Sequence, residues 1–161
     1  MVQPEWKPAG LEDQFLTFKL DQYNYALRLE AVDRIVRMVA IVPLPKAPGI
    51  VMGVINWQGL IVPVLNIRKR FGLRDHAASL NDQLIIAHTG TRSVGLAVDC
   101  VTGVLRHRSD TVTLPASIAP GIDYVAGVAL LGDDVVFIHD LDRFLALEEA
   151  ARLDEVMARV S

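Results

Sequence analysis

Apolar and polar positions alternate with a period of two along most of this chain, and the period lengthens only near the C-terminus. Residues 14–20 put Leu16, Phe18 and Leu20 on one face and Phe15, Thr17 and Lys19 on the other, the signature of a strand. Residues 21–24 make a turn, and Tyr25, Leu27 and Leu29 continue the alternation as the returning strand. Leu29, Val32 and Val36 lie at helical spacing, which predicts a brief winding over 30–35 before an extended apolar run over 36–42. Pro43, Pro45 and Pro48 then exclude regular structure.

The densest stretch is 49–72, GIVMGVINWQGLIVPVLNIRKRFG. Two β-rich runs, 50–55 and 60–65, flank Asn56-Trp57-Gln58-Gly59, where asparagine starts a turn and glycine accepts positive φ. A hairpin is predicted. Asn66 can cap a short helical turn over 67–71, which Gly72 ends.

The same unit returns later in the chain. Gly127-Val128 repeats Gly53-Val54, residues 135–138 repeat 61–64, and Asp140-Leu141 repeats Asn66-Ile67, all at one offset of 74 residues (53 to 127). A supersecondary unit used twice predicts two similar half-structures, here two small packed barrels. Between the copies, 73–82 is polar, 84–87 and 94–98 form a hairpin through 88–93, 101–105 is a further strand, and 106–123 is a loop. From Leu141 the spacing becomes helical through Phe144, Leu145, Leu147, Ala150, Asp154, Met157 and Val160. With Asp140 as N-cap, this predicts an amphipathic helix of about four to five turns that packs on the barrels.

A chain of 161 residues with 52% hydrophobic content can bury one sizeable core. Its formal charge of −3 opposes general nucleic-acid binding. The single cysteine, Cys100, leaves no intramolecular disulfide. Residues 1–12 read as a loose arm without a signal-peptide pattern, and no run is long and apolar enough to span a membrane, so the expected location is cytoplasmic.

Catalytic chemistry finds little support in these residues. His76, His88, His107 and His139 show no metal-ligand spacing with Cys100 or each other, and neither a metal nor a cofactor is expected. His139 beside Asp140 and Asp142 is the best acid–base grouping, yet a strand end and a helix cap account for those residues as turn partners. Gly49, Gly53 and Gly59 follow turns and lack the spacing of a phosphate loop. Cys100 reads as a buried, inert thiol. The basic runs Arg68-Lys69-Arg70 and Arg106-His107-Arg108 read as solvated surface rather than phosphate sites. Gly59, Gly72, Asp99 and Gly127 read as structural turn positions. Trp57 either folds back onto the barrel or presents a large anchor to a partner.

Gly53-Val54-Ile55-Asn56, Gly59, Ile61-Val62-Pro63-Val64 and Phe71-Gly72 together resemble the central signature of the CheW family of chemotaxis coupling proteins. Phe15-Leu16-Thr17-Phe18, Gly95-Leu96-Ala97-Val98-Asp99 and the segment from Gly127-Val128 to Leu141 agree. The similarity covers about 13–147, with 148–161 as a continuation of the C-terminal helix.

The resemblance implies a mostly β fold of two five-stranded SH3-like barrels sharing a core, and a non-catalytic function. The implied partners are the regulatory domain of a CheA-type histidine kinase and the cytoplasmic tip of a chemoreceptor, with recruitment to receptor arrays at the inner membrane. Carried over by position, the receptor-binding groove comprises Val32, Arg34, Gly53, Asn56, Trp57 and Gln58. Three positions depart from the family pattern: Arg34 stands where glutamate is usual, Gln58 where arginine is usual, and Asn66 where aspartate is usual. A groove carrying these residues is more positive and favours acidic receptor tips. The implied protein is a divergent adaptor serving a specialised receptor or a parallel pathway. The competing readings are a scaffold controlling surface motility or a second messenger, and a small-barrel ligand or nucleic-acid binder.

Overall fold

The computed structural model describes residues 12–75, 79–108, 125–131 and 134–160. The predicted arm at 1–11 and most of the 106–123 loop lie outside them. The described strands are β1 (Glu12–Leu20), β2 (Tyr23–Arg28), β3 (Val32–Arg37), β4 (Val51–Trp57), β5 (Leu60–Leu65), β6 (Gln83–His88), β7 (Ser93–Val98), β8 (Cys100–Arg108), β9 (Val125–Leu131) and β10 (Asp134–His139). One helical turn, α1 (Ile67–Arg70), follows β5, and α2 (Leu147–Met157) ends the chain. The strands form two five-stranded sheets, ordered β8-β1-β2-β10-β9 and β3-β6-β7-β5-β4.

Those two orders are one order. Gly53 pairs with Val64 and Val54 with Pro63, as Gly127 pairs with Ile138 and Val128 with Phe137, so the 74-residue offset holds in both strands. Each hairpin skips one residue at the same place, Met52 in β4 and Ala126 in β9. A second offset, 69 residues (17 to 86), relates β1, β2 and β3 to β6, β7 and β8. Thr17 pairs with Ala26 as Ile86 pairs with Gly95, and the edge-strand bulges fall at the corresponding residues Thr102 and Asp33. The whole fold is therefore a duplication with exchanged strands. Each sheet takes its central hairpin from one repeat and its other three strands from the other.

Burial on both faces explains why so many strands read as continuous apolar runs. Leu16, Phe18 and Leu20 of β1, Tyr25 and Leu27 of β2, Ile85 and Ala87 of β6, and Val94, Leu96 and Val98 of β7 meet in a core shared by the two sheets. The opposite faces line two separate interiors. Phe15, Ala26, Leu105, Ala129, Val136 and Ile138 fill the first, and Met38, Ile55, Val62, Val64, Leu84 and Ile86 fill the second.

The structure corrects the prediction in three places. The winding near residue 30 is a 3-10 turn confined to Leu29–Ala31, and β3 begins at Val32. The bulge at Asp33 breaks the period of two, which is why Val32 and Val36 sit at a misleading helical spacing. The C-terminal helix starts at Leu147 rather than Leu141, because a 3-10 turn, Leu141–Arg143, comes first. Asp140 makes no side-chain cap, and the Glu149 carboxylate instead accepts the Ala146 N–H at 2.9 Å. Gly127 lies inside β9, opposite Ile138, rather than in a turn.

Candidate functional site

The β4–β5 hairpin turns through Gln58 and Gly59, with φ of 51° and 85°. Two successive residues at positive φ match the twist of a tight hairpin, which accounts for glycine at the second position. Asn56 accepts the Gly59 N–H on Oδ1 at 2.9 Å, so its side chain belongs to the turn. Gln58 is exposed at the tip. Trp57 is half-buried and packs against the second interior, together with Val36 of β3. The indole therefore folds back, and this cluster draws the far end of β3 towards the hairpin.

Arg34 is exposed on β3, beside the bulge where the Asp33 carboxylate meets Nδ1 of His88 at 2.8 Å. Val32 is half-buried and borders the shared core. Gly53 adds nothing to an exposed groove. It is buried, with φ of 154°, and an added Cβ would lie 2.3 Å from the Val42 carbonyl oxygen. Val42 and Val54 exchange backbone hydrogen bonds at 2.8 and 2.9 Å across this point. Of the six implied groove residues, Arg34 and Gln58 present polar groups outward, Val32 and Trp57 are partly covered, and Gly53 and Asn56 serve the backbone.

Arg68 overturns the reading of its basic run as solvated surface. Only 5% exposed, it donates to Asp21 at 2.8 Å in the β1–β2 turn and to Asp99 at 2.5 Å between β7 and β8. Burial disfavours its charge, but the hydrogen bonds and charges of Asp99 and Asp21 outweigh this and raise its pKa above the ordinary arginine value. Asp99 also accepts the Asp21 N–H at 2.7 Å, a cap as well as an ion pair. Next in the run, Lys69 donates to the Gly49 carbonyl and Arg70 pairs with Glu149 of α2. Asn66 caps α1 by accepting the Lys69 N–H, and Gly72, at φ of 71°, ends it.

Two further readings are corrected. Cys100 is exposed, because it opens β8 in phase with the outward-facing Thr102 and Val104. His139 is not a turn partner: its ring is buried, burial lowers its pKa to about 3, and neither ring nitrogen has a hydrogen-bond partner among the described residues. The described residues hold no group of three or more His, Cys, Asp or Glu side chains placed to bind a metal. None of their helices is long and apolar enough to cross a membrane.

Two intertwined β half-structures on one core, with an exposed cation and amide and a half-buried indole on the second, make a module built for recognition. The chain belongs to the CheW-like domain family, whose model matches residues 14–149. It is 27% identical over 155 residues to the chemotaxis protein CheW of Treponema pallidum, covering 91% of each chain. It is 28% identical over 146 residues to the chemotaxis protein CheW of Klebsiella aerogenes, covering 89% of this chain and 87% of that one. A crystal structure of the scaffolding protein TtCheW from Thermoanaerobacter tengcongensis superposes with a TM-score of 0.78 at 26% identity, over 86% of this chain and 96% of that chain.

Proposed function

We propose that this protein is a non-catalytic adaptor that couples chemoreceptors to a CheA-type histidine kinase. The observation that carries this reading is the family match across residues 14–149, with relatives named as chemotaxis proteins aligned over almost their whole length. The duplicated fold supports it, since two half-structures on one rigid core offer separate surfaces to two partners. The adaptor works in the cytoplasm and joins receptor arrays at the inner membrane through its partners. Arg34, Trp57 and Gln58 form the receptor-facing part of the surface, with Val32 beneath, and the exchange to Arg34 and Gln58 directs it towards acidic receptor tips.

Titration calorimetry against the regulatory domain of the CheA-type kinase from the same cell tests the reading, followed by a receptor-tip fragment. Micromolar binding to both is expected. Failure to bind the kinase domain would remove the assigned function and leave the fold as described.

A further inference from the structure

The duplication gives almost every buried position a counterpart, and one pair is chemically unequal. His139 ends β10 as Leu65 ends β5, 74 residues apart, and both pair with the residue that flanks the hairpin bulge. Leu65 is 1% exposed and His139 is 3% exposed. Hydrocarbon fills the first position. An imidazole fills the second, with ring centroids 5.4 Å from Phe18 of β1, 4.9 Å from Tyr25 of β2, 4.5 Å from Phe71 behind α1 and 5.0 Å from Phe144 behind the last 3-10 turn. Packing does not call for a group that binds protons, and an amide or hydroxyl partner that would explain a buried polar ring is missing among the described residues.

The ring lies where the chain leaves β10 for its C-terminal segment. Phe144 belongs to that segment, and Phe71 follows Arg70, which holds Glu149 of α2. Beyond it, Arg92 pairs with Asp154, and Arg152 donates to the Lys46 carbonyl at 3.0 Å. Leu153, Val156 and Met157 bury the inner face of α2. The helix is thus seated through contacts that begin at His139. We propose that His139 is an acid-sensitive latch: proton uptake by its imidazole unseats residues 141–157 while both sheets stay formed.

Other charges do not substitute for this one. On β1, Lys19 is exposed; on β2, Tyr25 has its phenol pushed up to about 12, chiefly by burial, and stays protonated. Arg68 is held by Asp21 and Asp99, and Arg70 by Glu149. In the final turn, Asp140 pairs with Arg143, and Asp142 accepts the Gly90 N–H. On β10 itself, Asp134 is exposed at the far end. Burial alone lowers the seated imidazole to about 3, against roughly 6.5 when it is in water. Seating is therefore fully favoured above the solvated value and weakens as pH falls through it. Between pH 7.5 and 5.5, above the carboxylate range, the opening equilibrium should rise about tenfold.

Amide exchange of the full chain, followed by NMR at pH 7.5, 6.5 and 5.5 with each rate divided by its intrinsic rate, reads this directly. About a tenfold rise in opening at α2 amides is expected, with little change in β6 and β7. In His139→Leu, which installs the counterpart's residue, the α2 profile should be flat. The proposal is overturned by a flat wild-type profile, by the same rise in the variant, or by an equal rise in β6 and β7, which would report global unfolding. Should His139→Leu not fold, His139→Phe serves as the second variant, and the wild-type comparison of α2 with β6 and β7 still decides.

Discussion

Arg68 on α1 and Asp99 at the β7–β8 junction form an ion pair at 2.5 Å that ties one half-structure to the other. Asp21, from the turn of the first sheet's central hairpin, completes it at 2.8 Å. Three sites where the chain passes between halves thus meet at one guanidinium. Removing the cation strands two carboxylates that are themselves only partly solvated.

Arg68→Met should therefore destabilise the protein by about 3 kcal/mol, towards the lower end for a broken buried pair because both carboxylates keep some water. Urea unfolding measures it. Lys69→Met, whose ammonium reaches only the Gly49 carbonyl at 3.3 Å on the surface, should change stability by less than about 0.5 kcal/mol. Equal losses in the two variants would deny the joint its importance.

Gly53 and Gly59 both have positive φ but for different reasons, and alanine separates them. At Gly59 an added Cβ meets nothing within 4 Å, so only the backbone preference is lost, about 1 kcal/mol. At Gly53 the Cβ would strike the Val42 carbonyl at 2.3 Å, so the Val42–Val54 bridge must open. Gly53→Ala should cost about 3 kcal/mol in thermal or urea unfolding and lose protection at the Val54 amide.

The sequence displays half of the duplication openly and hides the rest. Residues 53–67 and 127–141 share glycine, β-branched and cap positions because both copies need the same bulge, inner strand and helical turn. The 69-residue relation is invisible by residue type, since Phe18 corresponds to Ala87 and Tyr25 to Val94. Only burial in one core makes those pairs equivalent. Arg68 escaped for a different reason. A basic triplet has the same composition whether solvated or paired, and its partners lie 47 and 31 residues away in sequence. Cys100 was legible in principle. Its parity with Thr102 and Val104 places it outward, but its apolar surroundings in sequence dominate the reading.

The phase of α2 offers another contrast. The helical spacing read from the sequence puts Asp154 and Val160 on the inner stripe with Met157, yet Asp154 is exposed and Val160 is 45% exposed. Leu153, at 0%, and Val156 take the inner face instead. The early 3-10 turn resets the register, so counting from Leu141 misplaces the face. Leu153→Ala should cost about 3 kcal/mol and Val160→Ala almost nothing, by urea unfolding of the full chain.

Arg34 and Gln58 give the proposed receptor preference a sharp test, because both are exposed and neither carries the fold. Arg34→Glu with Gln58→Arg leaves the net of the pair neutral instead of positive and restores the charge order usual in the family. Binding to receptor tips of ordinary charge should strengthen about tenfold, and binding to acidic tips should weaken by a similar factor, an effect of about 1.4 kcal/mol that shrinks as salt rises. Calorimetry with both classes of tip fragment at two salt concentrations measures it. Kinase-domain affinity serves as the internal control, and it should stay constant if the exchange acts on the receptor-facing surface alone. Unchanged tip affinities with an unchanged kinase affinity would separate these two residues from receptor choice while leaving the adaptor reading in place. Loss of both affinities would instead place Arg34 and Gln58 on a surface that the two partners share.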